Sequence, residues 1–295
     1  MIQLFQQRDF GNKINATFQY VSQNFRSLGL ALLYIVGPVA VVAGIATGIM
    51  QSNFLRLSAG AVKAQPDNPL AALQVLSQFV SPTFWLAMLF SLLANVAVIL
   101  TTYGHMKVYA RTNSSTISVA DVWAEVQPAI GRTIVISVLV SIVTGVAMVF
   151  LFIPGIYVGV VLSLALAVTS FEGTGFGETW DRCFKLIRDK WWSTFGLIIV
   201  MAIIVGIVGL IFAVPAGIIA FFVGAKMLPD ISTAWLVIGN VITLVGRTLV
   251  NAVLYTAIGF QYTNLVERQE GRGLISAIDS IGAPTQPRTQ NEGDF

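Results

Sequence analysis

The chain has 295 residues, of which 56% are hydrophobic and 11% charged, with a net charge of +3, one histidine and one cysteine. A soluble domain carries about 25% charged residues, so this composition excludes a water-soluble globular protein and predicts a polytopic membrane protein. The basic balance is read as topology and attraction to anionic lipid, with membrane lipids as partners and no nucleic acid.

A bilayer core of about 30 Å requires about 20 helical residues. Six apolar runs approach that length, at residues 28–50, 83–103, 133–152, 156–171, 195–222 and 233–261. They are too long and too continuous for the alternating strands of an outer-membrane barrel, so the expected fold class is all-α, a six-transmembrane-helix bundle. Six spans place both termini on one side. Thirteen lysines and arginines fall on that side, against three (Arg56, Lys63 and Lys226) on the other, with Arg247 inside a span. The positive-inside bias predicts a multi-pass protein of a bacterial cytoplasmic (inner) membrane with both termini in the cytoplasm.

In chain order, no secretory signal is expected before the first span. Between Asp9 and Arg26, Ile14, Phe18, Val21 and Phe25 form one helical stripe opposite Asn15, Gln19 and Gln23. That pattern predicts a helix lying in the cytoplasmic interface, with Phe18 and Phe25 as anchors. Span one contains Gly37-Pro38, an expected kink, and a Gly44/Gly48 pair of the kind that lets helices approach closely. Across residues 51–82, Asn68-Pro69 followed by Leu70, Leu73, Leu76 and Phe79 suggests a short helix on the outer leaflet. Span two carries Ser91 and Asn95 and ends near His105. Zinc requires three or four ligands, so a lone histidine predicts no metal site, and no cofactor is expected.

After the polar tract Thr112–Thr116, Ser118 and Asp121 fit a capping box. A second stripe follows: Val119, Val122, Trp123, Val126 and Ile130. Ile153-Pro154-Gly155 is expected to reverse the chain between spans three and four, and Glu172 marks the next corner. The third stripe is Phe176, Trp180, Phe184, Ile187 and Trp191. Trp123, Trp180, Trp191 and Trp192 are expected interfacial anchors, since an indole pairs an apolar body with one donor. An offset of 166 residues superposes Phe10-Gly11 on Phe176-Gly177, Phe18 on Phe184, Val21 on Ile187 and Phe25 on Trp191. The membrane domain, residues 1–262, then reads as three units of interfacial helix plus two-span hairpin, at about 9–103, 118–171 and 176–262.

Span five holds Pro215, where a broken or bent helix lining a cavity is expected. Span six places Asn240, Thr243, Arg247 and Asn251 on one stripe. A central arginine costs about 2.5–3.5 kcal/mol on insertion scales, so Arg247 is expected to face the bundle interior. Arg247, Asn251, Asn240, Asn95 and Glu172 are therefore the candidate anion- or lipid-binding residues. The partner of Arg247 is expected to be a helix carbonyl, Asn95, Glu172 or a bound lipid phosphate. Residues 263–295 read as a cytoplasmic tail, disordered from about 282.

Ile153-Pro154-Gly155-Ile156, the apolar run after it, Glu172 with its glycines, Arg182-Cys183-Phe184-Lys185-Leu186, and Trp191-Trp192 before Phe195-Gly196 resemble the membrane domain of bacterial glycerophosphoryl diester phosphodiesterases and its stand-alone relatives. The resemblance covers residues 133–222 best. It implies the fold and membrane residence. In the phosphodiesterases a catalytic barrel follows this domain, and residues 263–295 are expected to be too few to form one. Cys183 stands where relatives often have serine, and is read as a small buried residue of the third stripe, not a nucleophile.

These readings favour a non-enzymatic protein that binds or organises lipid or another amphiphile. A transporter or channel for a small solute is the alternative, although no intramembrane carboxylate is present to couple protons or sodium. A membrane-embedded lipid hydrolase ranks third, because no base, nucleophile or metal set stands out and no catalytic residue is assigned. Homo-oligomers and protein partners stay open.

Overall fold

The computed structural model describes residues 2–63, 73, 76–112, 117–224, 233–271 and 275. Among these residues there is no strand. The helices are α1 (Phe10–Gln23), α2 (Phe25–Ala31), α3 (Gly37–Lys63), α4 (Pro82–Thr112), α5 (Val119–Val126), α6 (Ile130–Phe150), α7 (Phe152–Leu162), α8 (Ala165–Glu172), α9 (Phe176–Ile187), α10 (Trp191–Gly224) and α11 (Thr233–Glu270). Six stretches are long and apolar enough to cross a membrane: Phe25–Leu57, Pro82–Thr112, Val119–Phe150, Phe152–Glu172, Trp191–Phe222 and Thr233–Glu270. The fold is thus an all-α bundle. Asn68, Pro69 and Leu70, most of the tract Thr112–Thr116, Lys226 and the tail from Gly282 lie outside the described residues.

Proline chemistry shapes three of the spans, not always where the sequence places the effect. Pro38 has no N–H to offer the Tyr34 carbonyl, and the helix meets the defect one turn earlier with a π-turn at Leu32–Val36 between α2 and α3. The reversal expected at Ile153-Pro154-Gly155 falls instead at Leu151, whose backbone leaves the helical region (φ −143°, ψ 79°). Pro154 then sits in the first turn of α7, where its missing donor has no helical partner to lose. The break expected at Pro215 does not occur: α10 runs as one helix from Trp191 to Gly224. Ala216, beside that proline, packs on Gly239 of α11.

The last span is the hub. α11 packs on α3, α10, α4 and α1. Its contact with α3 is the closest: a methyl group at Gly44 would lie 2.6 Å from the Val241 Cα, and one at Gly48 would lie 2.6 Å from the Val237 Cα. Only hydrogen side chains allow that approach, which van der Waals packing in lipid rewards.

Packing is dense at one end only. Near the ends of the spans that meet α1, α5 and α9, every residue of α11 from Thr256 to Glu267 is buried, together with Tyr103, Met106, Tyr109 and Val168. Lys13, Lys107, Arg182 and Arg268 lie here, so we call this the basic end. Toward the far end fewer residues are buried: α6 buries only Thr133, Ile136 and Ser137, and α4 before Leu93 buries only Ala87. The α3–α11 seam, the α10–α11 seam at Phe212–Gly246 and Ala216–Gly239, and the α6–α7 contact of Met148 with Gly155 stay closed.

Gly44→Leu or Gly48→Leu should lower the thermal midpoint in detergent, the overpacking costing about 1–3 kcal/mol. Gly29→Ala, whose methyl group would meet nothing within 4 Å, should leave it unchanged.

Candidate functional site

Helix α1 has three faces. Phe18 and, at the start of α2, Phe25 look outward, Phe25 being 73% exposed, while Ile14 and Val21 of the same stripe are half-buried and pack against the core; Asn15, Gln19 and Gln23 are exposed. The face against the bundle is polar: Lys13, Thr17, Tyr20 and Asn24 are all buried. Lys13 Nζ donates to Gln261 Oε1 at 2.6 Å and to Ser193 Oγ at 2.9 Å, and Gln261 Nε2 donates to Thr194 Oγ1 at 2.7 Å. The backbone N–H of Arg8 donates to Asn264 Oδ1 at 2.7 Å, and its guanidinium lies 5.1 Å from the Phe260 ring centroid. Tyr20 OH meets His105 Nδ1 at 2.6 Å, and Ser27 Oγ meets His105 Nε2 at 3.0 Å. The stripe rule located the lipid face of α1 and missed this inner face, since its residues read as ordinary polar ones in a sequence.

The Ser27–His105–Tyr20 spacing matches that of a nucleophile, a base and an orienting group. An imidazolium formed there would be fully buried, with no carboxylate hydrogen-bonded to it among the described residues. What the trio does visibly is staple α1 and α2 to α4. No group of three or more His, Cys, Asp or Glu side chains among the described residues is placed to hold a metal.

Helix α9 occupies the same role as α1. The two begin at Phe10 and Phe176 and bury matching positions: Lys13 and Thr179, Thr17 and Cys183, Tyr20 and Leu186. Glu172 accepts hydrogen bonds from Arg182 Nε at 3.0 Å, Arg182 Nη2 at 2.8 Å and Tyr262 OH at 2.8 Å, and Arg182 also pairs with Glu270. Burial would lower the Arg182 pKa, but these hydrogen bonds outweigh it and raise it. Burial, helped by Glu172 and opposed by Arg182, pushes the Cys183 thiol up to about 12.

The expected partners of Arg247 are therefore engaged elsewhere. Glu172 serves Arg182 and Tyr262. Asn95 and Tyr255 hydrogen-bond each other (Nδ2 to OH 2.9 Å, OH to Oδ1 3.2 Å), and Asn240 Nδ2 donates to Gln51 Oε1 at 2.6 Å and to the Leu236 carbonyl at 2.8 Å. Thr243 Oγ1 reaches the Phe212 and Gly239 carbonyls at 2.9 and 2.8 Å. Asn251 is half-buried, and Arg247 is exposed, with no hydrogen bond or ion pair among the described residues. Arg247 lies on the face of α11 that carries Ile258, Tyr262 and Leu265 into the core, with Leu236 and Asn240 buried on the same face farther along the helix.

Two apolar grooves flank the spans. One, of about 400 Å³, runs between α1–α2 and α10–α11 and is lined by Phe18, Phe25, Leu28 and Gly29 on one wall and by Val208, Phe212, Leu249 and Val253 on the other. The second, of about 390 Å³, lies between the α2–α3 junction, α4 and α5–α6, with Pro38, Val42, Leu93, Ala97, Trp123 and Ile134 among its walls. Each sits where an interfacial helix and the span it launches meet a neighbouring hairpin. At the corresponding seam beside α9, aromatic rings fill the space: Trp180 and Phe184 lie 5.0 Å apart, Tyr157 and Trp191 stack at 5.7 Å, and Trp191 and Phe195 stack at 5.0 Å. Trp191 Nε1 donates to the Tyr157 carbonyl at 3.2 Å. Of the other expected anchors, Phe18, Trp123 and Trp192 are exposed, and Trp180 is half-buried.

Fold and spans together define a multi-pass helical membrane protein. Residues 87–265 match a family described as a domain of unknown function (DUF7847), and the chain belongs to that family. The match includes Asn95, Glu172, Arg182, Arg247 and Tyr262, and begins after α1–α3. No curated protein and no solved structure matches the chain.

Burial, with Arg268 and Lys190 nearby, pushes the Lys13 amine down from 10.5 to about 8, against an upward pull from Asp9. Between those values the unfolded chain holds more protons than the folded one, so stability should rise as pH increases from about 8 to 10.5. Thermal midpoints measured across that window should show the rise in the wild type and a flattened profile in Lys13→Met. Cys183, the only cysteine, should resist maleimide in folded protein at neutral pH and react once the protein is denatured in SDS.

Proposed function

We propose that this protein binds or organises lipid or another amphiphile within the membrane and does so without catalysing a reaction. The observation that carries this reading is the pair of apolar grooves of nearly equal volume, each beginning at an interfacial helix and running between spans. Walls without polar groups suit acyl chains, and the aromatic and basic residues around the bundle suit the headgroup layer. On the same proposal, the basic end faces the cytoplasm of a bacterial cell from its cytoplasmic membrane. The three interfacial helices then form a collar in that leaflet, in keeping with the resemblance to the membrane domain of glycerophosphoryl diester phosphodiesterases.

One further observation favours a second reading, transport of a small solute. Burial is dense at the basic end and sparse in the far halves of α4 and α6, an asymmetry that one state of an alternating-access cycle would also have. Solute flux in proteoliposomes distinguishes the two readings.

The grooves can be filled selectively. Gly29→Leu projects into the first, since nothing lies within 4 Å of its added Cβ, and Val42→Phe projects into the second from a position already exposed. Phospholipid co-purified in mild detergent and counted by mass spectrometry should fall in each variant and further in the double variant, without loss of thermal midpoint. Unchanged lipid in a folded double variant would sink the reading.

A further inference from the structure

We propose that Arg247, with Asn251 one turn nearer the core, forms a binding site for a phosphate-bearing anion in the half of the bundle away from the basic end. The proposal names the headgroup chemistry for the amphiphile reading above and rests on it only for the source of the anion.

Twelve residues separate Arg247 from Trp235 and fifteen separate it from Tyr262, about 18 and 22 Å of helix, so its side chain is too short to carry the charge to either surface. Direction comes next. Val237 and Val241 face α3, while Gly239, Thr243 and Gly246 face α10. Arg247 falls between those two sectors, on the side that continues downward through Leu254 and Ile258 to Tyr262 and Leu265. The opposite gap, occupied by Ile238 and Ile242, faces outward and is apolar. Arg247 is exposed on the side it shares with Tyr262 and Leu265, between the filled core below it and Leu236 and Asn240, which are buried above it.

Charge balance completes it. The acidic groups and amides nearest along this face are satisfied by other partners: Glu172 and Glu270 by Arg182, Asn95 by Tyr255, and Asn240 by Gln51. An intramembrane guanidinium left with no counter-charge is a costly arrangement for a protein to keep, and its planar fork fits a tetrahedral oxyanion through two parallel hydrogen bonds. The Asn251 amide supplies a further donor from the same helical face. The sparsely buried far halves of α4 and α6 leave a lateral way in for a lipid headgroup or a free anion.

The test uses full-length protein, delipidated in detergent and exposed in separate arms to mixed micelles containing phosphatidylglycerol and to inorganic phosphate. Retained lipid is measured by native mass spectrometry and phosphate binding by the shift in thermal midpoint. Arg247→Gln should weaken at least one probe by about ten- to hundredfold, the scale of a lost charge-assisted hydrogen-bond pair. Its own thermal midpoint should not fall below the wild-type value, because an unpaired charge has been removed. Arg247→Lys, which keeps the charge and loses the fork, should lie in between. Loss in the phosphatidylglycerol arm alone identifies a lipid headgroup, and loss in the phosphate arm identifies a free anion. Equal affinity for both probes in wild type, Arg247→Gln and Arg247→Lys overturns the site. The groove variants Gly29→Leu and Val42→Phe act on acyl chains and should not alter phosphate binding, so failure of the groove reading and failure of the Arg247 site are separable.

Discussion

Polar groups in a bilayer must find their partners inside the protein, and this constraint arranges nearly every inter-element contact in the structure. It turns Lys13, Thr17 and Tyr20 of α1 inward, sets His105 between two hydroxyls, and closes Glu172, Arg182, Tyr262 and Glu270 into one cluster. The interfacial helices are therefore more than apolar rafts. Each of α1 and α9 carries a lipid face and a separate inner face that clasps the ends of the spans. Because lipid offers no hydrophobic drive for helix association, these clasps and the small-residue contacts supply the specificity.

The same constraint explains why the bundle is uneven. At the basic end there are enough polar side chains and interlocking aromatics to hold several helices together, and Tyr20 alone touches the rings of His105, Tyr109 and Phe260. Farther along the spans the residues are mostly aliphatic, and lipid solvates them as well as a neighbouring helix does. The α3–α11 and α10–α11 seams persist there, because Gly44, Gly48, Gly239 and Gly246 bring the helices close enough for dispersion to count.

Local chemistry was legible in the residues wherever a short-range rule decides it. The capping box at Ser118 and Asp121 forms with both bonds at 3.1 Å, the Gly44/Gly48 pair marks a close backbone contact between helices, and Phe18 and Phe25 of the first stripe are exposed. Rules of that kind also misplaced some features. Pro154 was read as the reversal, yet a proline within the first helical turn begins a helix as readily as it ends one, and Leu151 makes the turn. A break or bend is the local expectation at Pro215, but α10 is unbroken there, and Ala216 packing on Gly239 is a tertiary contact that no local pattern reveals.

What the sequence determined by itself is the solvent, the helical class and the number of spans, because each follows from composition and from run length against a fixed bilayer thickness. It also singled out Arg247 as costly, since the price of a charge in hydrocarbon depends on depth alone. Partnership is what tertiary structure decided. Glu172 and Arg182 are ten residues apart in the chain, Glu172 and Tyr262 are ninety, and Lys13 and Gln261 are 248, and only folding brings such pairs within hydrogen-bond reach. Pairing is a competition among all groups that can reach a given atom, and Arg182 takes the carboxylate while Arg247 is exposed with no hydrogen bond or ion pair among the described residues.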